Sequence, residues 1–219
     1  MRLTEKEYCW LIEDFFPGGV VAGFTKPILN GELPRDLQKA LAFLNRELDI
    51  SFLNQRHSAV VNLANEPGVY EGDGLFTQLY GNVLAIKTAD CFPILFSDRS
   101  GSLVGAVHMG WRSAKDRILE NIFCSRVSLA AFGVGLRKCC YHVGDDFATY
   151  SNMAKFLVKK ENRICFDPVS FARAALVDYG FAEKDCVDVD MCSFCSGEQF
   201  HSYRKNKTGM RTISFIVRS

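Results

Sequence analysis

The chain has 219 residues, 48% of them hydrophobic and 23% charged, and 26 basic against 25 acidic side chains leave a formal net charge of +1. This is the composition of a globular protein with its own core, and it excludes a disordered or collagen-like chain. Near-neutrality excludes a global basic field for nucleic acid. No apolar run reaches the ~18 residues of a membrane span, and the charged N-terminus leads into no signal sequence. A cytoplasmic protein is expected, with neither nucleic acid nor membrane as a partner. One domain over residues 1–219 is the simplest organisation, since no repeat, low-complexity tract or linker interrupts the sequence.

In chain order, segment 34–49 places Leu37, Leu41, Leu44 and Leu48 on one face behind Pro34, which predicts an amphipathic helix. Segment 51–63 reads as extended. Residues 82–87, 93–97 and 103–107 read as strands, the last entered through the turn Asp98-Arg99-Ser100-Gly101. After Trp111 the pattern turns helical, with Ile118, Leu119, Ile122 and Phe123 on one face. Residues 127–134 suggest a buried strand, 145–160 and 168–179 helices, and 186–191 and 212–217 strands. Asp167 is a natural N-cap for the second of those helices, with Pro168 at its first position. Irregular alternation of helix and strand favours an α/β protein with mixed sheets over a strict doubly wound sheet.

Reactive residues gather at the ends of apolar strands: Asn54-Gln55-Arg56-His57-Ser58, Lys87-Thr88-Ala89-Asp90-Cys91, and His108-Met109-Gly110-Trp111-Arg112-Ser113. Two imidazoles and a thiolate, from His57, Cys91 and His108, would suit Zn²⁺ with an open fourth position. The same residues could be a cysteine nucleophile with a histidine base, or three unrelated side chains. Their spacings, 34 and 17 residues, match no local zinc pattern. An odd count of nine cysteines without a secretion signal indicates reduced thiols, mostly small buried hydrophobes. Cys192-Ser193-Phe194-Cys195 is a C-x-x-C that could join Cys139-Cys140 in a structural zinc site or act as a redox pair.

Thr88-Ala89-Asp90-Cys91-x-Pro93 followed by His108-x-Gly110-Trp111-Arg112 resembles the YfiH, or laccase-domain, family. Further matches are Gln55-x-His57, Gly72-Asp73-Gly74-Leu75, Cys139-Cys140-Tyr141-x-Val143-Gly144, Phe166-Asp167, Cys192-Ser193 and Ser202-Tyr203-Arg204-Lys205. The resemblance runs from about residue 20 to the C-terminus. It implies an α/β sandwich of mixed sheets flanked by helices, with likeness to cysteine hydrolases. It also implies a zinc-dependent purine nucleoside phosphorylase, acting on adenosine, inosine or methylthioadenosine, with adenosine deaminase activity. Carried over by position, the metal ligands are His57, Cys91 and His108, with copper the other candidate ion. Cys91, Asp90 and His108 become the catalytic residues, Asp90 as a proton carrier. Arg112, Lys26 and Asp73 become contacts for nucleoside and phosphate, in a monomer or homodimer. Met109 and Ser113 stand where the family has small residues and are expected to reshape the turn. The rival reading is a cysteine hydrolase or amidase acting on cell-wall precursors, with Cys91 as nucleophile and His108 as base.

Overall fold

A computed structural model of the protein describes residues 1–123, 126–160 and 162–219; Cys124 lies outside these. The first sheet has seven strands. These are β1 (Arg2–Glu5), β2 (Cys9–Glu13), β3 (Val20–Thr25), β4 (Asp49–Asn54), β6 (Val69–Glu71), β8 (Asn82–Thr88) and β16 (Thr212–Arg218). Their order is β1-β2-β3-β16-β8-β4-β6, with β4 parallel to both neighbours and the rest antiparallel. The second sheet has six: β5 (Val61–Ala64), β7 (Gly74–Thr77), β9 (Phe92–Ser97), β10 (Val104–Met109), β11 (Leu129–Phe132) and β15 (Cys186–Asp188). Its order is β15-β11-β9-β10-β7-β5. A small third sheet, in the order β12-β14-β13, is formed by β12 (His142–Val143), β13 (Leu157–Lys160) and β14 (Arg163–Phe166).

The layering follows from alternation along the central strands. In β8, Leu84 and Ile86 face the second sheet, while Val83 and Ala85 face the opposite way. In β16, Ile216 faces the second sheet and Ile213, Phe215 and Val217 face away. The second sheet answers with Leu75, Leu95, Val104, Ala106 and Ala131. The outer face of the first sheet is covered by α1 (Arg35–Ala40) through Leu37 and Ala40. The outer face of the second packs Phe92, Ile94 and Phe96 against Phe171, Ala172 and Leu176 of α3 (Pro168–Asp178). Strands buried on both faces read as continuous apolar runs, which is why they were legible in the sequence. The result is the expected mixed α/β sandwich with helices outside.

The helices are shorter than their patterns predict. The expected helix 34–49 ends at Ala40, continues as a 3₁₀ turn at Ala42–Leu44, and stops at Asn45 in a left-handed conformation (φ 51°). The apolar face after Trp111 is split between α2 (Trp111–Lys115) and a 3₁₀ turn at Ile118–Glu120, because Arg117 is left-handed (φ 61°). Ile118, Leu119 and Ile122 are nonetheless buried. The expected helix 145–160 is instead two 3₁₀ turns followed by β13. The extended segment 51–63 is interrupted after Asn54, where the chain turns through His57 before β5. The expected strand 186–191 stops at Asp188. In α3 the capping expectation holds: Asp167 accepts the Ser170 N–H at 3.1 Å, with Pro168 in the first turn.

Candidate active site

Three chain segments converge where the two large sheets meet. His57 lies in the turn after β4, Cys91 in the crossover from β8 to β9, and His108 within β10. Their donor atoms lie within 4.8 Å of one another, and Cys91 Sγ is 3.7 Å from His57 Nε2. Local bonds force this convergence. Gln55 straps β4 to β8, donating to the Lys87 carbonyl and accepting from its N–H, both at 2.8 Å. Asp73, just before β7, gathers the His57 turn by accepting the N–H groups of Arg56, His57 and Ser58 and the Ser58 hydroxyl. It also holds His108 Nδ1 at 2.7 Å. That bond leaves His108 Nε2 as the donor facing the cluster, the usual arrangement of a carboxylate behind a metal-binding imidazole.

Two non-glycine residues at the cluster have positive φ, His57 at 59° and Asp90 at 92°, conformations held at some cost by the bonds around them. Gly110 supplies the space. A Cβ there would stand 2.8 Å from His57 Cδ2 and 3.3 Å from Cys91 Sγ.

Electrostatics make the trio electron-rich. Burial pushes the Asp73 carboxyl up, but the His108 ring and the Ser58 donors outweigh it and hold it at about 2. Burial likewise raises the Cys91 thiol, and the charge of His108, then hydrogen bonds from both imidazoles, bring it down to about 6. Burial lowers His108, yet Cys91 and Asp73 raise it to about 9. A thiolate beside an imidazole proton is the arrangement that a metal cation replaces on binding. Two borderline nitrogens and one thiolate fit Zn²⁺, and a thiolate also accepts copper.

The cluster forms the floor of a cleft of about 650 Å³. Arg56, Lys87, Arg112, Arg204 and Arg211 line it, while Asp90 is its carboxylate among the described residues. The Arg112 guanidinium lies 4.6 Å from the Trp111 ring, with no carboxylate partner among the described residues. Trp111 stacks on Tyr150 and packs against Phe147, so it is a packing residue with an edge at the cleft.

Other expected site residues stand elsewhere or are engaged. Asp73 is fully buried and outside the cleft wall, its oxygens taken up by the His57 turn and the His108 ring. Lys26 is also outside the wall and pairs with Glu5 at 2.6 Å. Asp90 lines the cleft, but its oxygens accept from Ser193 Oγ, Ser202 Oγ and the Arg204 N–H at 2.7–2.8 Å. A carboxylate so occupied anchors the Cys91 turn. Neither Met109 nor Ser113 reaches the cleft: Met109 packs into the core, and Ser113 is buried. Lys87, Arg211 and Tyr141 were not singled out as site residues in the sequence. The place of Arg204 over the Tyr141 ring, at 4.9 Å, is tertiary information.

A four-layered mixed α/β sandwich with a His₂Cys cluster at the seam of its sheets is the class that fold and site define. The model of the family described as multi-copper polyphenol oxidoreductase laccase matches residues 31–219, and the chain belongs to this family, to which the YfiH proteins are related. The chain is 34% identical over 170 residues to a protein of Deinococcus radiodurans named purine nucleoside phosphorylase, covering 72% of this chain and 65% of that protein, a little under two thirds of its length. It is 30% identical over 177 residues to purine nucleoside phosphorylase YfiH of Escherichia coli, covering 75% and 72% of the two chains. The Bacillus licheniformis hypothetical protein YfiH has the same fold, with TM-score 0.85, 23% identity and 99% of each chain covered. YlmD from Geobacillus stearothermophilus superposes with TM-score 0.85 at 24% identity, covering 98% of this chain and 97% of that one.

Proposed function

We propose that this protein is a purine nucleoside phosphorylase that uses a metal ion, cleaving adenosine, inosine or methylthioadenosine with phosphate. The observation that carries the reading is one cleft holding both the His57–Cys91–His108 donor set and a rim of five cations. A site that must gather a phosphate dianion needs such a rim. The names of the relatives support the same chemistry.

In phosphorolysis a phosphate oxygen bonds to the ribose C1′ while the bond from C1′ to the base breaks. The electron pair leaves with the base, which takes up a proton. Zn²⁺ held by His57, Cys91 and His108 would supply Lewis acidity toward an oxygen of phosphate or water. Arg112, without a carboxylate partner among the described residues, offers a two-pronged grip for phosphate, and Arg204 and Arg211 add charge across the cleft. Asp73 fixes the ring of His108 and the turn of His57, and Asp90 fixes the turn of Cys91. Adenosine deamination, in which water adds at C6 and ammonia departs, is the secondary activity. Its proton transfer has less support, because Asp90 is already bound to three donors.

A second reading has one observation in its favour. The Cys91 thiol is drawn down to about 6 beside His108, as in a cysteine hydrolase or amidase. A panel of nucleosides, assayed with and without phosphate while reading base, ribose phosphate and ammonia, separates the two. Phosphate-dependent release of base, lost on chelation and in Cys91→Ala but kept in the core variant Cys186→Ala, is the expected result. Amide hydrolysis that survives chelation would establish the hydrolase instead.

A further inference from the structure

Away from the cleft floor, four more thiols meet. Cys139 and Cys140 lie in the turn after β11, and Cys192 and Cys195 in the loop after β15. Their sulfurs all lie within 4.8 Å of one another, with Cys195 at 3.4 Å from Cys139 and 2.9 Å from Cys140. The sequence separation of more than fifty residues hid this; tertiary structure removes it. A parallel bridge between Gly135 and Cys192, with the Ser193 N–H on the Gly135 carbonyl at 3.1 Å, lays the two segments side by side.

From these four side chains we propose a second metal site, a structural Zn²⁺ bound by the thiolates of Cys139, Cys140, Cys192 and Cys195. Tetrahedral zinc with sulfur at about 2.3 Å has sulfur–sulfur edges of about 3.8 Å, the scale of this cluster. The backbone around Cys192 suits a thiolate there, while burial and the neighbouring sulfurs push the Cys139 and Cys140 thiols up, so those two give up their protons to the metal. The loop closes as a turn, with the Ser196 N–H on the Cys192 carbonyl at 3.0 Å, and the N–H groups of Phe194, Cys195 and Arg137 are directed at Cys192. A zinc ion with four thiolates carries a net charge of −2. The buried guanidinium of Arg137 lies near enough to Cys192 for their charges to interact. Lys205 donates to the Gly197 carbonyl beside the same loop at 3.0 Å. Cys139 and Cys195 are exposed, so an ion has a way in, while Cys192 is buried and anchors the site. On binding, each thiol gives its proton to solvent and its sulfur lone pair to the metal, and no oxidant is required.

The ion would act as a clamp. The 137–141 turn carries Tyr141 into the cleft wall, and the 192–196 loop carries Ser193, whose hydroxyl holds Asp90 behind Cys91. Crosslinking the two would stiffen one wall of the cleft without touching substrate. This site does not depend on the reading of the cleft as a phosphorylase.

The test uses the full chain purified under reducing conditions and dialysed against a weak chelator. The double variant His57→Ala/Cys91→Ala, stripped of two cleft donors, should retain about one zinc per chain. X-ray absorption of that sample should show a pure sulfur shell near ~2.3 Å. Replacing the metal with Co²⁺ should give the intense visible bands of tetrahedral thiolate ligation. Cys192→Ser/Cys195→Ser should lose that zinc and melt lower. Should this variant fail to fold, the absorption measurement on the protein with all four thiols still decides. Nitrogen or oxygen in the shell, iron as the occupant, no retained metal, or a mass two hydrogens lighter from a Cys139–Cys195 or Cys140–Cys195 disulfide would each overturn the assignment.

Discussion

Arg112 and Gly110 border the cluster in different ways, one bringing a charge to the cleft and the other leaving space beside His57 and Cys91. Arg112 lies over Trp111 at the cleft edge with its guanidinium free of carboxylates among the described residues. Arg112→Lys keeps the charge and loses the planar fork, so the phosphate KM should rise, by about tenfold for each ~1.4 kcal/mol of binding lost. A phosphate titration at saturating nucleoside reads this; an unchanged KM would show that Arg112 does not touch phosphate. Gly110→Ala tests the space. Its φ of −81° admits alanine, so the effect must come from the Cβ pressing on His57 and Cys91. Metal affinity, measured by competition with a chelating dye, should fall tenfold or more, while the melting temperature changes little. Undiminished affinity would mean that these side chains do not hold the ion.

At the level of elements, short helices are held by specific anchors more than by their own length, since a helix of one or two turns is not stable alone. The six-residue α1 depends on Asp36, whose Oδ2 accepts the N–H groups of Asn30, Gly31 and Glu32 at 2.9 Å. Burial opposes the Asp36 charge, but the three N–H donors and Arg35 prevail, and the carboxyl lies below its usual range. Asp36→Ala should cost about 1–3 kcal/mol at neutral pH by leaving those donors unsatisfied. A group whose pKa is lower in the folded state stabilises above its unfolded value, near ~3.9, and loses that contribution as pH falls through the folded value. The gap between wild type and Asp36→Ala in urea denaturation should therefore be constant from neutrality down to about pH 5 and narrow below about pH 4. A gap that widened in acid would contradict this anchor.

Across the whole molecule, stability rests on the apolar layer between the two large sheets. Ile86 of β8 is fully buried there, among Leu84, Leu95 and Ile216. Ile86→Ala should destabilise by about 2–5 kcal/mol, through lost burial and the cavity left behind. For a chain of this size that lowers the melting temperature on the order of 5–15 °C. Metal content should not change, because Ile86 lies in the sheet layer and does not line the cleft. A loss under about 1 kcal/mol would mean that the layer relaxes to fill the gap. No helix among the described residues is long and apolar enough to cross a membrane.

The sequence by itself determined the central strands, because β8, β9, β10 and β16 are buried on both faces over most of their length and so read as largely apolar runs. It determined α3, whose cap chemistry is local, and it displayed His57, Cys91 and His108 inside motifs resembling those of a known family. Helix lengths were beyond it, because left-handed residues at Asn45 and Arg117 end helices whose apolar spacing continues. Segment 145–160 was illegible for another reason: its apolar residues fill a core that accepts 3₁₀ turns and a strand as readily as a helix. Only tertiary structure supplied the bonding partners of Asp73 and Asp90, since these lie 15 to 114 residues away. Only tertiary structure, too, brought Cys139 and Cys140 to Cys192 and Cys195, because proximity across two loops is set by the bridge between them and leaves no periodic trace in the chain.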